Sequence, residues 1–409
     1  MSTAVLDPRA ARPAAPCDEP RRAARRGQRP SDGARRGPRV LVVQRIVPPY
    51  RVPLFRALAA SSEVAYEFAY GEQRAGSALE SVVAPDGLAV RPVRNTYFAS
   101  RGRELAVWQR GVSRLVRSGT YDAVIAEFNP RIASNVQAFA AARLRGVPFV
   151  WWGHGAGPNA GRATVRARVA LARVADAVIF YNEAQAERFV AAGLAPERAF
   201  VAPNSLDVSA ITAFARPPER AGDRAGRDRV LTVGRLIPEK RVDLLVRAFA
   251  LARGRFGGPQ RLTIVGDGPE RPALEQLAAS LCLTDSVEFA GSLYDPAALA
   301  PHFNAAWAMV SPGGIGLAAV QSLAFGVPVV LAAGEPHGPE ASALADGQNA
   351  VFFPGGQVEA MADALVALDA DPARWLTMAR AARATSDARF GLDRMTAAFD
   401  RAVRHVCPA

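Results

Sequence analysis

The segment Val230-Leu231-Thr232-Val233-Gly234-Arg235-Leu236-Ile237-Pro238-Glu239-Lys240-Arg241 joins a short, β-branched apolar run to a residue type found nowhere else in the chain. Beyond it Val242, Leu245, Val246 and Phe249 stand at i, i+3, i+4 and i+7, the spacing of one helix face. The pattern predicts a buried strand, a loop from Gly234, and an amphipathic helix in whose first turn Lys240 falls. Lys240 is the sole lysine among 50 basic residues, all the others being arginine. Lysine meets phosphate as a compact point charge and arginine as a planar fork, so the two do not interchange at a tight site. A cation in a first helical turn opposes the macrodipole, and a bound anion reverses that sign.

The same rhythm extends in both directions. Val40 to Val43, Val64 to Tyr70, Ala123 to Ala126, Phe149 to Trp152, Ala177 to Tyr181 and Ala199 to Val201 precede it. Leu262 to Val265, Val287 to Phe289, Trp307 to Val310 and Val327 to Leu331 follow. Continuous apolar strands alternating with helix-length segments imply parallel sheets covered on both faces. The fold class is therefore α/β, with two doubly wound, Rossmann-like domains facing a cleft. Expected bounds are a disordered basic tail over 1–37, a first domain over 38–206, a linker over 207–228, a second domain over 229–385 and a terminal helix over 386–409. Ligands of such sheets lie beyond the carboxyl ends of the strands, and the cleft between two domains is the default site.

Composition narrows the function. Half of the 409 residues are apolar, enough for a large core. Residues 1–39 carry ten arginines against four acids, half of the formal net charge of +12, and lack the apolar core of a secretion signal. No stretch reaches the roughly 20 apolar residues of a membrane span. Cys17, Cys282 and Cys407 have neither metal-ligand nor disulfide spacing, which fits a reducing cytoplasm. No aromatic-interleaved basic motif or zinc pattern points to nucleic acid. Arg103, Arg110, Arg114 and Arg117 fall near one face of an expected helix, and Arg162, Arg166, Arg168 and Arg173 belong to a second. Such faces suit either solvent or an anionic membrane surface, so a cytoplasmic protein peripheral to the inner face of the membrane is one expectation.

Two further strand-end loops are rich in glycine. Gly266-Asp267-Gly268-Pro269 turns into a helix bearing Leu274, Leu277 and Leu281, and Ser311-Pro312-Gly313-Gly314-Ile315-Gly316-Leu317 leads into a helix that Gly326 stops. A glycine-rich strand-to-helix turn collects free backbone N–H groups and a positive dipole end, which suits a diphosphate. Glycines also serve helix–sheet packing, so it is the company of Arg235 and Lys240 that makes an anion cradle. Gly155-Ala156-Gly157-Pro158-Asn159-Ala160 formally fits a dinucleotide fingerprint, but Asp176 precedes the next strand, where a ribose-binding acid should close it. An oxidoreductase is disfavoured on that ground.

Three ordered motifs, G-R-L-x-x-x-K at Gly234 to Lys240, G-D-G-P-x-x-x-x-L at Gly266 to Leu274, and the glycine loop running through Gly326-Val327-Pro328-Val329-Val330, resemble the C-terminal half of the retaining glycosyltransferases of family 4, which have the GT-B fold. Pro203-Asn204-Ser205-Leu206-Asp207, Pro339-Glu340, Asp346-Gly347-Gln348-Asn349 and a terminal helical stretch with Phe390, Met395, Phe399 and Val403 are similar to further features of that family. The resemblance implies a second domain that binds a nucleotide-sugar donor through Gly234, Gly266, Gly268, Gly313, Gly314, Ile315, Gly316, Leu317 and Gln321. It implies that Arg235 and Lys240 neutralise the donor diphosphate, with no metal and no cofactor.

Trp151-Trp152-Gly153-His154-Gly155 resembles the strand-end His-Gly whose histidine faces the donor sugar; a hydrogen-bonded core histidine is the other reading of that residue. The first, acceptor-side domain has Gln44-Arg45-Ile46-Val47-Pro48-Pro49-Tyr50-Arg51 where many relatives have a glycine-rich loop. Pro48-Pro49 can supply the turn without the same N–H groups, and Tyr50 and Arg51 offer a hydroxyl and a cation. The two glutamates that the family places eight positions apart read Gly313 and Gln321 here. Gln321 can still bond a diol, whereas Gly313 is expected to leave open space beside the sugar.

The function so implied is transfer of a sugar, with retention, from a nucleotide-diphosphate sugar to a glycan or lipid-linked acceptor in polysaccharide or glycolipid biosynthesis. The acceptor attacks on the face that the diphosphate leaves, with the dipole of a helix starting near Ile315 aiding departure and His154 orienting the sugar. The missing glutamates motivate an alternative, a transferase-like protein without turnover that binds sugar nucleotide or a partner.

Overall fold

The computed structural model describes residues 37–74, 81–82, 85–100, 103–157 and 160–408. The expected basic tail lies outside the described residues apart from Gly37. In chain order the first-half strands are β1 (Arg39–Val43), β2 (Ala65–Tyr70), β3 (Val90–Pro92), β4 (Arg94–Ser100), β5 (Arg103–Arg110), β6 (Ala123–Glu127), β7 (Phe149–Gly153), β8 (Ala177–Phe180) and β9 (Ala199–Val201). The second-half strands are β10 (Arg229–Val233), β11 (Arg261–Val265), β12 (Val287–Gly291), β13 (Ala306–Ser311), β14 (Val329–Ala333) and β15 (Ala350–Pro354).

Two parallel sheets result, ordered β3-β2-β1-β6-β7-β8-β9 and β12-β11-β10-β13-β14-β15. Each is buried on both faces: Val40 and Val42 point into one cluster of the first sheet and Leu41 and Val43 into the other. In the second sheet Val230 and Leu231 divide in the same way. The order changes direction at β1 and β6 in one sheet and at β10 and β13 in the other, so the loops after these strands open onto the cleft. These are two doubly wound, Rossmann-like domains in the GT-B arrangement. The Leu392–Val406 helix returns to the first sheet, where Met395, Phe399 and Val403 are buried and Phe399 meets Trp152 edge-on at 4.8 Å. Phe390 stays behind, in the second-domain core.

Four expectations are corrected. The Arg103–Arg117 segment is not one helix: Arg103–Arg110 is β5, an antiparallel partner of β4, and only Val112–Arg117 is helical. Val107 and Gln109 face inward while Trp108 is half-buried and Arg110 exposed, the period of two of a strand rather than of a helix. The expected linker is packed rather than loose. Val208 and Ile211 join the second-domain core, and Arg224 pairs with Asp369 while lying 4.2 Å from the Trp307 ring centroid. Lys240 closes a 3-10 turn, Pro238–Lys240, and the helix begins only at Val242 after Arg241 adopts left-handed backbone (φ 52°). The helix expected near Ile315 starts at Ala318 and has seven residues, so its dipole is further from the glycine loop than expected.

Candidate active site

Two glycine-rich loops of the second domain pack against the β10 loop that carries Lys240. Gly266 lies so close to the β10 loop that a Cβ on it would stand 1.8 Å from the Gly234 carbonyl oxygen, and one on Gly268 would stand 2.3 Å from that of Leu236. Their N–H groups are occupied, by the Gly291 carbonyl (2.7 Å) and by Asp267 Oδ1 (2.7 Å). Gly234, too, gives its N–H to Val265. These glycines act by permitting close backbone approach.

The third loop is threaded between the first and the β14 end. Gly314 N–H points to Glu239 O at 3.4 Å, Ile315 N–H donates to His337 Nδ1 at 3.2 Å, and Ile315 O accepts from Gly338 N at 2.6 Å. Among the described residues Gly313, Gly316 and Leu317 have N–H groups with no acceptor, while those of Gly314 and Ile315 are taken up within the protein. The open space expected at Gly313 does not exist: a Cβ there would lie 2.2 Å from Glu239 O and 3.0 Å from Lys240 O. Glycine is required because the Glu239–Lys240 backbone occupies that volume.

Lys240 reaches across this crossing to donate from Nζ to Gly314 O at 2.5 Å. Burial pushes its ammonium below the usual lysine range, helped by the Arg235 charge and opposed by Glu340 and Glu239. Arg235 is exposed and makes no ion pair among the described residues. The slot at Lys240, Thr232 and Ser311 is only about 10 Å³, too small for a diphosphate without movement of the glycine loop. Gln321 is half-buried on the following helix, with no side-chain hydrogen bond among the described residues.

The open volume lies on the first-domain side, a cavity of about 600 Å³ reaching from Gln44, Tyr50 and Arg51 past His154 to His337, Gly338 and Pro339. His154 follows β7, its ring 4.7 Å from that of Tyr181. The ring is open to the cleft yet set deep between its walls. That withdrawal from bulk water, with the charges of Arg51 and Arg168, pushes its pKa down to about 4, so it is neutral near pH 7. Tyr50 is exposed at the cavity edge.

Arg51, expected to present a cation to an acceptor, is only 6% exposed. Its guanidinium stacks over Trp152 (5.2 Å), and Nη2 donates to Asn204 Oδ1 at 2.8 Å. Asn204 Nδ2 in turn donates to Glu340 Oε1, so a buried polar chain crosses from one domain to the other. Glu340, 4% exposed, has its carboxyl pushed up by burial despite the Asn204 bond and the charges of Arg51 and Lys240. Asn182, donating to Pro339 O at 3.3 Å, makes a second crossing. His337 was missed in the sequence because no motif marks it; its Nε2 donates to Ala332 O at 2.9 Å, which leaves Nδ1 as the acceptor for the glycine loop.

Comparison with known proteins agrees with this architecture. A profile described as Glycosyl transferases group 1 matches residues 227–371, and one described as Glycosyltransferase Family 4 matches residues 56–210. D-inositol 3-phosphate glycosyltransferase 1 of Catenulispora acidiphila is 30% identical over 352 residues, covering 78% of this chain and 82% of that protein. The chain belongs to glycosyltransferase family 4.

Another family 4 relative, the GDP-mannose-dependent alpha-(1-6)-phosphatidylinositol monomannoside mannosyltransferase of Mycolicibacterium smegmatis, is 33% identical over 236 residues, 53% of this chain but only 60% of its own length. Two further relatives are matched over 37% and 14% of their lengths. Among solved structures, HepE of Anabaena in complex with UDP superposes with a TM-score of 0.63 at 19% identity, covering 88% of this chain and 97% of HepE, a likeness of fold. The second-domain segments that resemble family 4 motifs are the three loops packed around Gly234, and Pro339-Glu340 supplies the buried Glu340.

Proposed function

We propose that this chain is a retaining glycosyltransferase that moves a sugar from a nucleotide-diphosphate sugar to a glycan or lipid-linked acceptor. The observation carrying this reading is the half-buried ammonium of Lys240, held between the β10 loop and the glycine loop at Gly314, beside the guanidinium of Arg235, which makes no ion pair among the described residues. Two neighbouring cations, of which Lys240 is held by its bond to Gly314 O, stabilise a leaving diphosphate electrostatically, the largest contribution in most such reactions. The charge compensation is assigned to Arg235 and Lys240, whose charges act on one another. Neutral His154, facing the cavity from the other wall, can orient a sugar hydroxyl without competing for the diphosphate.

HepE was crystallised with UDP and with UDP-glucose, and the relatives named above act on inositol derivatives by their names, which supports a nucleotide-sugar donor and a polyol acceptor here. No helix among the described residues is long and apolar enough to cross a membrane. The test is turnover of UDP- and GDP-sugars on a polyol acceptor panel, with product anomer read by NMR. An α-linked product from an α-donor, formed equally with and without EDTA, is the expected result. Inversion, or restoration by magnesium after chelation, overturns the mechanism; nucleotide binding without transfer to any acceptor favours the non-catalytic alternative raised by Gly313 and Gln321.

A further inference from the structure

The cleft cavity is unevenly charged. Arg45, Arg51, Arg131 and Arg168 line it beside His154, against a single carboxylate, Glu127. Glu127 is already engaged with its own loops, accepting from Arg45 N at 3.3 Å and from Asn129 Nδ2 at 3.1 Å. The Arg131 guanidinium makes no hydrogen bond or ion pair among the described residues. Arg168 gives one N–H to the Gly155 carbonyl, while its Nε is buried without a partner. Arg51 has the same character: it is 94% buried, with Nη2 on Asn204 and Nη1 unpartnered. Arg168 also feels the like charge of Arg131, and Arg51 and Arg168 both act on His154.

Arg131 is exposed at the cavity edge, Arg168 half-buried and Arg51 buried, and an anion that pairs with the first two relieves the like charge between them and satisfies the buried Nε of Arg168. The donor diphosphate does not meet that need, because its cations, Arg235 and Lys240, belong to the opposite domain. Two guanidiniums without a carboxylate partner among the described residues, Arg131 and Arg168, match the dianion of a phosphate monoester, whose second pKa is about 6.

We propose that Arg131 and Arg168, with Arg51 behind His154, form a subsite for a phosphoryl group carried by the acceptor. The proposal rests on the glycosyltransferase reading and names the acceptor class for it. The subsite takes no part in bond making; it fixes the acceptor by bidentate contacts so that a hydroxyl meets the sugar beside His154.

Calorimetry on the full chain tests it, with inorganic phosphate titrated into protein saturated with UDP or GDP. Phosphate is expected to bind beside the nucleotide, and R131Q/R168Q to weaken it at least tenfold while nucleotide affinity stays within twofold. R131Q alone, which removes a guanidinium with no partner, gives the same direction should the double variant fold poorly. Glycerol 3-phosphate and phosphatidylinositol vesicles then serve as competitors: displacement by the first assigns the phosphoryl group to a soluble acceptor, displacement by the second alone to a lipid headgroup. The proposal is overturned by absence of phosphate binding to the nucleotide-bound protein, or by equal loss of nucleotide and phosphate in R131Q/R168Q, which would place the cluster in the donor site. Failure of the glycosyltransferase reading looks different: the unmodified chain would bind neither nucleotide.

Discussion

The two walls of the cleft are built in different ways. On the second-domain wall backbone meets backbone, with Gly266 against Gly234 and Gly313 against Glu239, and one side chain, Lys240, reaches into the crossing. On the first-domain wall side chains of arginine, histidine and tyrosine line an open cavity, several of their polar atoms lacking partners. A wall of backbone contacts couples binding to fold, whereas a wall of side chains can change its ligand without disturbing either sheet.

The largest effect is expected where charge alone is removed from the backbone wall. Lys240→Ala, and separately Arg235→Ala, should lower transfer about 10²–10³-fold, roughly 3–4 kcal/mol, by analogy with loss of one preorganised donor. Far-UV dichroism should be unchanged, and near-normal rates at saturating donor in either variant would remove the phosphate cradle from the mechanism. Next in size are the glycines. Gly266→Ala and Gly313→Glu place a Cβ within 1.8 and 2.2 Å of backbone carbonyl oxygens. Each is expected to cost about 1–3 kcal/mol of stability, read by chemical denaturation, and to weaken donor binding in parallel. Gly313→Glu that is fully stable and tightens donor binding would show that the loop has room after all.

A subtler test concerns the chain joining the walls. Glu340 has its pKa raised by burial, so the folded protein holds a proton that the unfolded chain releases above its ordinary value of 4.5. Its contribution to stability is then full below that pH and falls as pH rises through the folded value. Glu340→Gln keeps a neutral hydrogen-bonding group, and its stability relative to the unmodified chain should rise between pH 4.5 and neutrality. A difference that stays flat with pH would mean that Glu340 is ionised in place. The smallest effect is expected from Gln321→Glu, where the half-buried side chain lacks a partner: donor affinity should tighten by about 1 kcal/mol or less. A marked loss on calorimetry would separate Gln321 from the ribose.

The backbone wall was largely legible because its signals are local. Val230–Val233 and Leu262–Val265 fall within one residue of β10 and β11, and Pro328, unable to donate, moves the start of β14 from Val327 to Val329. What escaped depends on partners distant in sequence. The β4–β5 hairpin supports the acceptor-side loop through Gln109 Nε2 to Gln44 O (2.9 Å) and Asn95 Nδ2 to Arg45 O (2.8 Å), neither of which any periodicity announces. Arg168 reads as one of several arginines on a helix, and only tertiary packing turns it towards Gly155 while Arg166 stays exposed. Gly313 was misread because deleting a side chain and filling its volume with another backbone look identical in one dimension.

Lys240 has a consequence for chemical labelling. Apart from the chain's own α-amino group it is the one primary amine in the protein, and its depressed pKa leaves more of it unprotonated, and hence nucleophilic, near neutral pH. An amine-selective acylating reagent therefore reports on the crossing of the β10 loop and the glycine loop rather than on a surface average. The adjacent Lys240–Arg241 bond is likewise the single cleavage site for a lysine-specific endoprotease, and because acylation removes the charge that enzyme recognises, tagging is read as loss of that one cut. Protection of that tag by nucleotide gives a site-occupancy measurement by mass spectrometry that needs neither an acceptor nor an engineered probe.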